Sequence, residues 1–253
     1  MPEPLLRVAT ISKRFGGLLA VDQASFEAPA GRITALIGPN GAGKTTLFAI
    51  IAGFLRPSGG CVVYDGADVT GLPPHRLARR GIARTFQIVQ PFAGLTVAEN
   101  IAVGAHLHHA ARGDALAAAA AVARAVDLDG QLDKPAAALT VAGRKRLELA
   151  RALAIEPRLL LLDEVLAGLN PSEVRDMVPV IRAIAARGVT IVMIEHVMQA
   201  VMSLADHVYV LAEGRVIAEG APRAIAADPK VVEAYLGHGA AKRMAGEGTH
   251  ARS

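Results

Sequence analysis

Residues 38–46 read Gly38-Pro39-Asn40-Gly41-Ala42-Gly43-Lys44-Thr45-Thr46 and match the pattern Gly-x-x-x-x-Gly-Lys-Ser/Thr of a phosphate-binding loop. The run 33–37 before it is typical of a buried strand, and the run 47–52 after it is typical of a helix. Glycines let several backbone N–H groups point at one anion, beside the positive end of the helix dipole. Lys44 can reach the β- and γ-phosphates, and the Thr45 hydroxyl can ligate Mg²⁺. The nine residues are therefore predicted to bind a nucleoside triphosphate.

Composition limits the possible classes of protein. Apolar residues make up 52% of the 253 residues, which is enough for a large core. Aromatic residues make up 4% and Trp is absent, which argues against a base-stacking surface. Three basic residues against one acidic residue in 237–253 account for +2 of the net charge of +4, so no nucleic-acid partner is expected. The single cysteine, the lack of a long apolar run and the lack of a leader pattern predict a cytoplasmic protein.

The segment before the loop, residues 5–26, alternates apolar and polar residues around Phe15-Gly16-Gly17. This pattern predicts a hairpin of two strands. Phe15 lies in the turn, where its ring could stack on an adenine base or close a small β core. The residues alone leave both alternatives open.

The segment after the first helix predicts a helical insertion. Residues 97–139 are almost wholly helical in propensity, and 115–126 are nearly all alanine. Thr140 is a helix-capping residue before a helix over 141–154. At the start of that helix, Arg144 and Glu148 are spaced to form an i,i+4 ion pair.

Apolar runs at 159–162 and 189–194 are of the kind buried in parallel sheets, and 207–211 and 215–218 flank a turn. Together these segments predict an α/β fold. It has a P-loop NTPase core with a mixed, largely parallel sheet, an N-terminal antiparallel β subdomain and an inserted helical subdomain at about 88–155. We expect one domain over 1–236 and a disordered tail over 237–253.

Charged side chains follow two of the predicted strands. Asp163 and Glu164 come after the leucine run, and His196 follows the next strand along the chain. In open α/β sheets, ligands bind beyond the carboxyl ends of the strands, where the phosphate-binding loop also lies. Asp163 can bind Mg²⁺, Glu164 can take a proton from the attacking water, and His196 could bond to the γ-phosphate. For His196 taken alone, an ordinary surface histidine is the favoured interpretation.

With these motifs in this order, the chain resembles the ATP-binding cassette subunits of ABC transporters over nearly its whole length. The resemblance rests on GPNGAGKTT, on Gln87 in RTFQ, on LLLLDE and on His196. Several segments look most like the LivG-type subunit of branched-chain amino-acid importers. These are KRFGGLLAVD, LTVAENI, RLELARALA, DEVLAGLNPSE and EAYLG.

The resemblance implies an ATPase that uses ATP and Mg²⁺ and powers a membrane importer. Gln87 would then bind the metal and link the nucleotide to the permease, and Phe15 would lie under adenine. The expected partners are transmembrane permease subunits, a second ATPase subunit in a homodimer or heterodimer and, indirectly, a periplasmic solute-binding protein. The protein would be peripheral on the inner face of the membrane.

The family signature Leu-Ser-Gly-Gly-Gln stands here as Leu139-Thr140-Val141-Ala142-Gly143. Thr140, Ala142 and Gly143 would contact the partner's nucleotide, although Val141 and Gly143 depart from the usual residues. The usual Asp of the subunit contact is replaced by Asn170.

Other functions remain open at this point. A soluble cassette ATPase acting on ribosomes or DNA would commonly carry a second cassette or a coiled-coil insertion. The ATPase of an exporter is a further alternative. A small-molecule phosphotransferase built on the same loop is another, but such an enzyme would have no general base for water, and Glu164 argues against it. The sequence specifies neither the solute nor the composition of the ATPase dimer.

Overall fold

The computed structural model describes residues 4–86 and 90–236, so Gln87 and the tail 237–253 lie outside the described residues. The strands are β1 (Leu6–Phe15), β2 (Leu18–Ala28), β3 (Ile33–Ile37), β4 (Gly59–Tyr64), β5 (Ala67–Asp68), β6 (Ile82–Arg84), β7 (Leu159–Asp163), β8 (Thr190–Ile194), β9 (His207–Ala212) and β10 (Arg215–Gly220). The helices are α1 (Lys44–Ile51), α2 (Pro74–Ala78), α3 (Val97–Ala105), α4 (Arg112–Ala125), α5 (Val141–Leu153), α6 (Pro171–Ala186), α7 (Met198–Leu204), α8 (Pro222–Ala226) and α9 (Pro229–Leu236). Among the helices so described, none is long and apolar enough to cross a membrane.

An antiparallel sheet of order β2-β1-β4-β5 forms the N-terminal part of the chain. Strand β1 pairs with β2 from Leu6 opposite Ala28 to Phe15 opposite Leu18, and β4 lies on its other side. Alternating apolar residues of β1 and β2 are buried, as a sheet with one solvated face requires. The predicted hairpin and antiparallel subdomain are confirmed.

The second sheet has the order β10-β9-β3-β8-β7-β6. Its strands pair in parallel from β9 to β6, and β10 is antiparallel to β9, so the predicted mixed sheet is confirmed. Strands β3, β8 and β7 are neighbours, and their carboxyl ends therefore meet at one edge. This edge carries the phosphate-binding loop, Glu164 and His196.

Both faces of the second sheet are covered, which explains its unbroken apolar strands. Leu160 and Leu162 of β7 pack into a core formed with the helical insertion and α6. Leu159 and Leu161 pack on the opposite side, against α1 and the first sheet. Since each buried leucine stabilises the fold by about 1.5–3 kcal/mol, this strand is a strong anchor for the carboxylates at its end.

The helical insertion is less continuous than predicted. Helix α3 begins with a capping box between Thr96 and Glu99, and α4 buries Ala115, Ala119 and Ala123 on one face. After α4 the backbone turns at Asp127, whose φ of +55° is left-handed and ends the helical run. Two 3₁₀ turns then lead to α5. The domain bounds 1–236 and 88–155 stay predictions.

Candidate active site

The phosphate-binding loop joins β3 to α1 and depends on glycine at two close contacts. A Cβ atom on Gly38 would lie 1.9 Å from the Leu211 carbonyl oxygen, and one on Gly43 would lie 2.4 Å from that of Ala20. Gly43 also has a φ of +100°, a conformation that side chains rarely adopt. The loop is therefore pressed against its neighbours on the protein side, and its backbone can approach a ligand on the other.

Lys44 is folded back over the loop. It is 5% exposed, and its Nζ donates to the carbonyl oxygens of Gly38 at 2.7 Å and Pro39 at 2.9 Å. Burial lowers the pKa of Lys44, while the nearby carboxylates of Glu164 and Asp163 raise it. The ammonium group is thus held at the loop by weak neutral acceptors that a phosphate oxygen could replace.

The first turn of α1 suits an anion. Its N-cap, Gly43, has no side chain to cap the helix, and the turn contains no acidic residue. The first N–H groups of the helix and the positive end of its dipole are therefore unopposed at this end. A phosphate group satisfies both.

Asp163 has the properties of an oxygen ligand for a magnesium ion. It is 1% exposed, and its Oδ2 accepts from Arg84 Nη2 at 2.7 Å. Its Oδ1 is buried without a hydrogen-bond partner among the described residues. Asp163 and the exposed Thr45 line the same cavity of about 680 Å³. A carboxylate oxygen and a hydroxyl facing one space are donors of the kind that Mg²⁺ takes beside phosphates.

Glu164 is held in a strained conformation at the end of β7. Its φ is +51°, and this costs energy in a residue other than glycine. The Glu164 N–H donates to the Ile194 carbonyl at 3.0 Å, and its own carbonyl accepts from Lys145 Nζ at 3.2 Å. These contacts of the main chain aim the side chain at the edge where the phosphate-binding loop lies.

Glu164 and His196 meet directly. The Oε1 atom of Glu164 lies 2.6 Å from Nε2 of His196, although 32 residues separate them in the chain. The histidine side chain is 38% exposed and the glutamate side chain 13%. A carboxylate beside an imidazole in a partly buried cleft can accept a proton from water. The structure thus brings together two residues that the sequence analysis expected at the same edge of the sheet.

Glu195 is a site residue that the sequence analysis did not select. It is 1% exposed, and its Oε1 accepts from the Leu166 N–H at 2.9 Å. The pKa of Glu195 is raised to about 7, mainly by burial and also by the Glu164 charge, while hydrogen bonds from backbone N–H groups and the Lys145 charge oppose the rise. Its position directly before His196 at a strand end was the available signal.

Three further residues at the site were also missed: Arg84, Lys145 and Glu148. Lys145 and Glu148 are buried on α5, and a Glu148 Oε1 atom accepts from the Phe86 N–H. Burial raises the pKa of Glu148. Helix α5 therefore contacts both the end of β7, through Lys145, and the segment that leads towards Gln87.

The signature segment caps α5. Thr140 is the N-cap, and its Oγ1 accepts from the Gly143 N–H at 3.1 Å, so the predicted cap is confirmed. Val141 is exposed, Ala142 is half-buried and Gly143 is buried. The expected ion pair of Arg144 with Glu148 is wrong. Arg144 instead donates to the carbonyls of Leu139 and Ala137, which the preceding 3₁₀ turn brings within reach.

The structure also describes the contacts of Phe15 and Asn170, two residues that the sequence analysis named. Phe15 is 44% exposed at the end of β1, with Lys13 Nζ 5.1 Å from its ring centroid. The alternative that it closes a β core is therefore wrong, and contact with adenine stays a prediction. Asn170 is the N-cap of α6 and accepts from the N–H groups of Ser172 and Glu173.

Comparisons with known proteins show the family of the chain. A family model described as ABC transporter matches residues 21–167, and one described as Branched-chain amino acid ATP-binding cassette transporter matches 215–241. The chain is 39% identical over 253 residues to the high-affinity branched-chain amino acid transport ATP-binding protein BraF of Pseudomonas aeruginosa, covering 94% of this chain and 99% of the relative. It is 38% identical, with the same coverage, to the corresponding LivG protein of Escherichia coli.

Solved structures show the same fold. A nucleotide-free ATP-binding cassette from an ABC transporter superposes with a TM-score of 0.86 at 33% identity, covering 93% of this chain and all of the other. A cassette in its ADP conformation superposes with a TM-score of 0.85, also at 33% identity and 93% coverage of this chain. The match to the ABC transporter family model, over residues 21–167, includes the phosphate-binding loop and the end of β7. The chain belongs to the ABC transporter family, in which it is an ATP-binding subunit that hydrolyses ATP.

Proposed function

We propose that this chain is the ATPase subunit of a membrane importer for branched-chain amino acids. The observation that carries the solute class is the second family match, at residues 215–241. It lies outside the region of the general ABC match, which ends at residue 167. The names of BraF and LivG, two relatives that match the chain along most of its length, support the same class.

In this proposal, the N–H groups of residues 41–46 and the Lys44 ammonium bind the β- and γ-phosphates of ATP. Thr45 and Asp163 hold Mg²⁺, with Gln87 as the expected third ligand. When bound, Mg²⁺ neutralises phosphate charge and raises the electrophilicity of the γ-phosphorus. Phe15 lies against the adenine ring.

Glu164 is the proposed base of hydrolysis. It accepts a proton from the attacking water while the bond between the γ-phosphorus and the bridging oxygen breaks, which yields ADP and phosphate. His196, 2.6 Å from the Glu164 carboxylate, fixes the direction of that carboxylate and bonds to the γ-phosphate. Lys145 supports the strained main chain of Glu164 from the other side.

The subunit works with transmembrane permeases and dimerises with a second ATPase subunit. We propose that Thr140, Ala142 and Gly143 of each subunit face the nucleotide of the other. The assembly would lie on the inner face of the membrane and receive solute from a periplasmic binding protein. Gln87 would connect the metal to the permease.

Solute uptake in the organism of origin tests this proposal. Deletion of the gene should abolish uptake of radiolabelled leucine, isoleucine and valine. The parent chain and a remote surface variant, Arg158→Gln, should restore uptake, and Lys44→Ala should not. Unchanged uptake of all three amino acids, with loss of another solute, would refute the solute class. Affinity purification of the chain with two permease subunits, identified by mass spectrometry, would establish its partners.

A further inference from the structure

We propose that Arg84 is a positioning residue of the ATPase site that orients Asp163 and weakens its attraction for the metal. The inference rests on the proposed role of Asp163 as the magnesium carboxylate. Arg84 ends β6, the strand hydrogen-bonded to β7, and lies opposite Leu161 in the register. Asp163 is two residues further along β7, at the edge of the site.

The contact between the two side chains is buried on both sides. Arg84 Nη2 lies 2.7 Å from Asp163 Oδ2, and the side chains are 10% and 2% exposed. Charge-assisted hydrogen bonds at this distance are strong, and burial shields them from water. One carboxylate oxygen is thereby occupied, while Oδ1 has no hydrogen-bond partner in the described parts of the chain. Arg84 therefore determines which oxygen Asp163 presents to a metal.

Two phenylalanines hold the guanidinium group. Its Cζ lies 5.8 Å from the ring centroid of Phe54 and 5.6 Å from that of Phe86. The two rings are nearly perpendicular, with centroids 5.6 Å apart. Both distances are in the range of cation–π attraction. Arg84 is thus fixed by an ion pair at one end and by an aromatic pair on the wall of the cavity.

The charged groups around Asp163 indicate how Arg84 affects metal binding. Lys44 interacts electrostatically with both Asp163 and Glu164, and Arg84 adds a second cation. Cations thus already lie beside these carboxylates before any metal binds. A buried carboxylate without a counter-ion would be costly, so Arg84 stabilises the nucleotide-free protein. The same charge repels a divalent cation, and the metal therefore binds well only when the phosphates of ATP arrive with it.

Manganese titration of the nucleotide-free protein tests this inference, with the electron paramagnetic resonance signal of free Mn²⁺ as the readout. We expect Arg84→Gln to bind Mn²⁺ about tenfold more tightly than the parent, because it removes one positive charge next to the carboxylate. Arg84→Lys, which keeps the charge, should stay close to the parent. A matched control is Arg158→Gln, which breaks an exposed pair with Asp65. Equal affinity in Arg84→Gln and the parent, or no binding by either at millimolar Mn²⁺, overturns the inference.

A second variant covers the case in which Arg84→Gln fails to fold. Phe54→Leu removes one ring from Arg84 and should shift Mn²⁺ affinity in the same direction by a smaller factor. Phe92→Leu is its control, since that ring holds Arg151 instead, 4.6 Å from its centroid. Identical Mn²⁺ affinities in these two variants and the parent would contradict the role of the aromatic pair.

Asp163→Asn separates this inference from the function on which it rests. It should abolish the metal dependence of affinity for the non-hydrolysable β,γ-imido analogue of ATP. If Asp163→Asn leaves that dependence intact, the proposed magnesium site is wrong. If Asp163→Asn abolishes it but Arg84→Gln leaves Mn²⁺ affinity unchanged, only the role of Arg84 is wrong.

Discussion

Replacing Glu195 with glutamine removes one titrating group from the buried strand end beside Glu164 and keeps an oxygen for the Leu166 N–H. In the folded protein, burial raises the pKa of Glu195 from 4.5 to about 7. The folded state therefore holds the proton more tightly than the unfolded chain does. As pH rises through the interval from 4.5 to 7, the unfolded chain ionises first, and the parent loses stability.

The size of the effect follows from the change in pKa. At 1.36 kcal/mol per pKa unit, the parent should lose about 3 kcal/mol of unfolding free energy across that interval, relative to Glu195→Gln. The two proteins should be similarly stable near the lower end of the interval, and the variant more stable above its upper end. Urea unfolding followed by circular dichroism at several pH values measures the difference.

A control variant at an exposed position, Glu27→Gln, should follow the parent across the same pH range. A difference between Glu195→Gln and the parent that stays constant with pH would refute the reasoning. It would mean that Glu195 ionises as readily in the folded protein as in the unfolded chain.

Three other predictions concern the loop and the tail. Lys44→Ala should weaken ATP binding by at least about tenfold in calorimetry, because it removes a charged donor to the phosphates. Equal affinity would refute the loop assignment. Gly38→Ala should cost about 3 kcal/mol in urea unfolding, since its Cβ would lie 1.9 Å from the Leu211 carbonyl, whereas Gly113→Ala meets nothing within 4 Å and should cost nothing. Deleting 237–253 should leave ATPase rate and melting temperature unchanged, because this segment has little apolar surface; a large drop would show that it docks.

Local patterns predicted the parts of the site that depend on neighbouring residues in the chain. The phosphate-binding loop is identified by residue types at fixed spacing between a strand and a helix. The run of leucines in β7 predicted a strand covered on both faces, and this placed Asp163 and Glu164 at its end. The rule that parallel strands present their carboxyl ends at one edge then predicted that His196 would lie near them.

Local sequence patterns did not predict contacts between segments that lie far apart in the chain. Arg84 and Asp163 are 79 residues apart, and their pairing depends on β6 lying next to β7. The pKa of Glu195 depends on how deeply the folded chain buries it, which the strand pattern does not measure. Arg144 was assigned to the wrong partner because spacing along a helix ignores the carbonyls of the preceding turn.

The most direct test of the account is the rate of ATP hydrolysis by Glu164→Gln, measured beside its affinity for Mg-ATP. The amide cannot accept a proton, so turnover should fall by about 100-fold or more. Binding should persist, because Lys44, the loop N–H groups and Asp163 are untouched. ATP that is bound but not hydrolysed should also shift the variant from monomer to dimer in size-exclusion chromatography with light scattering. A variant that binds ATP and still hydrolyses it at the parent rate would contradict the assignment of Glu164 as the base.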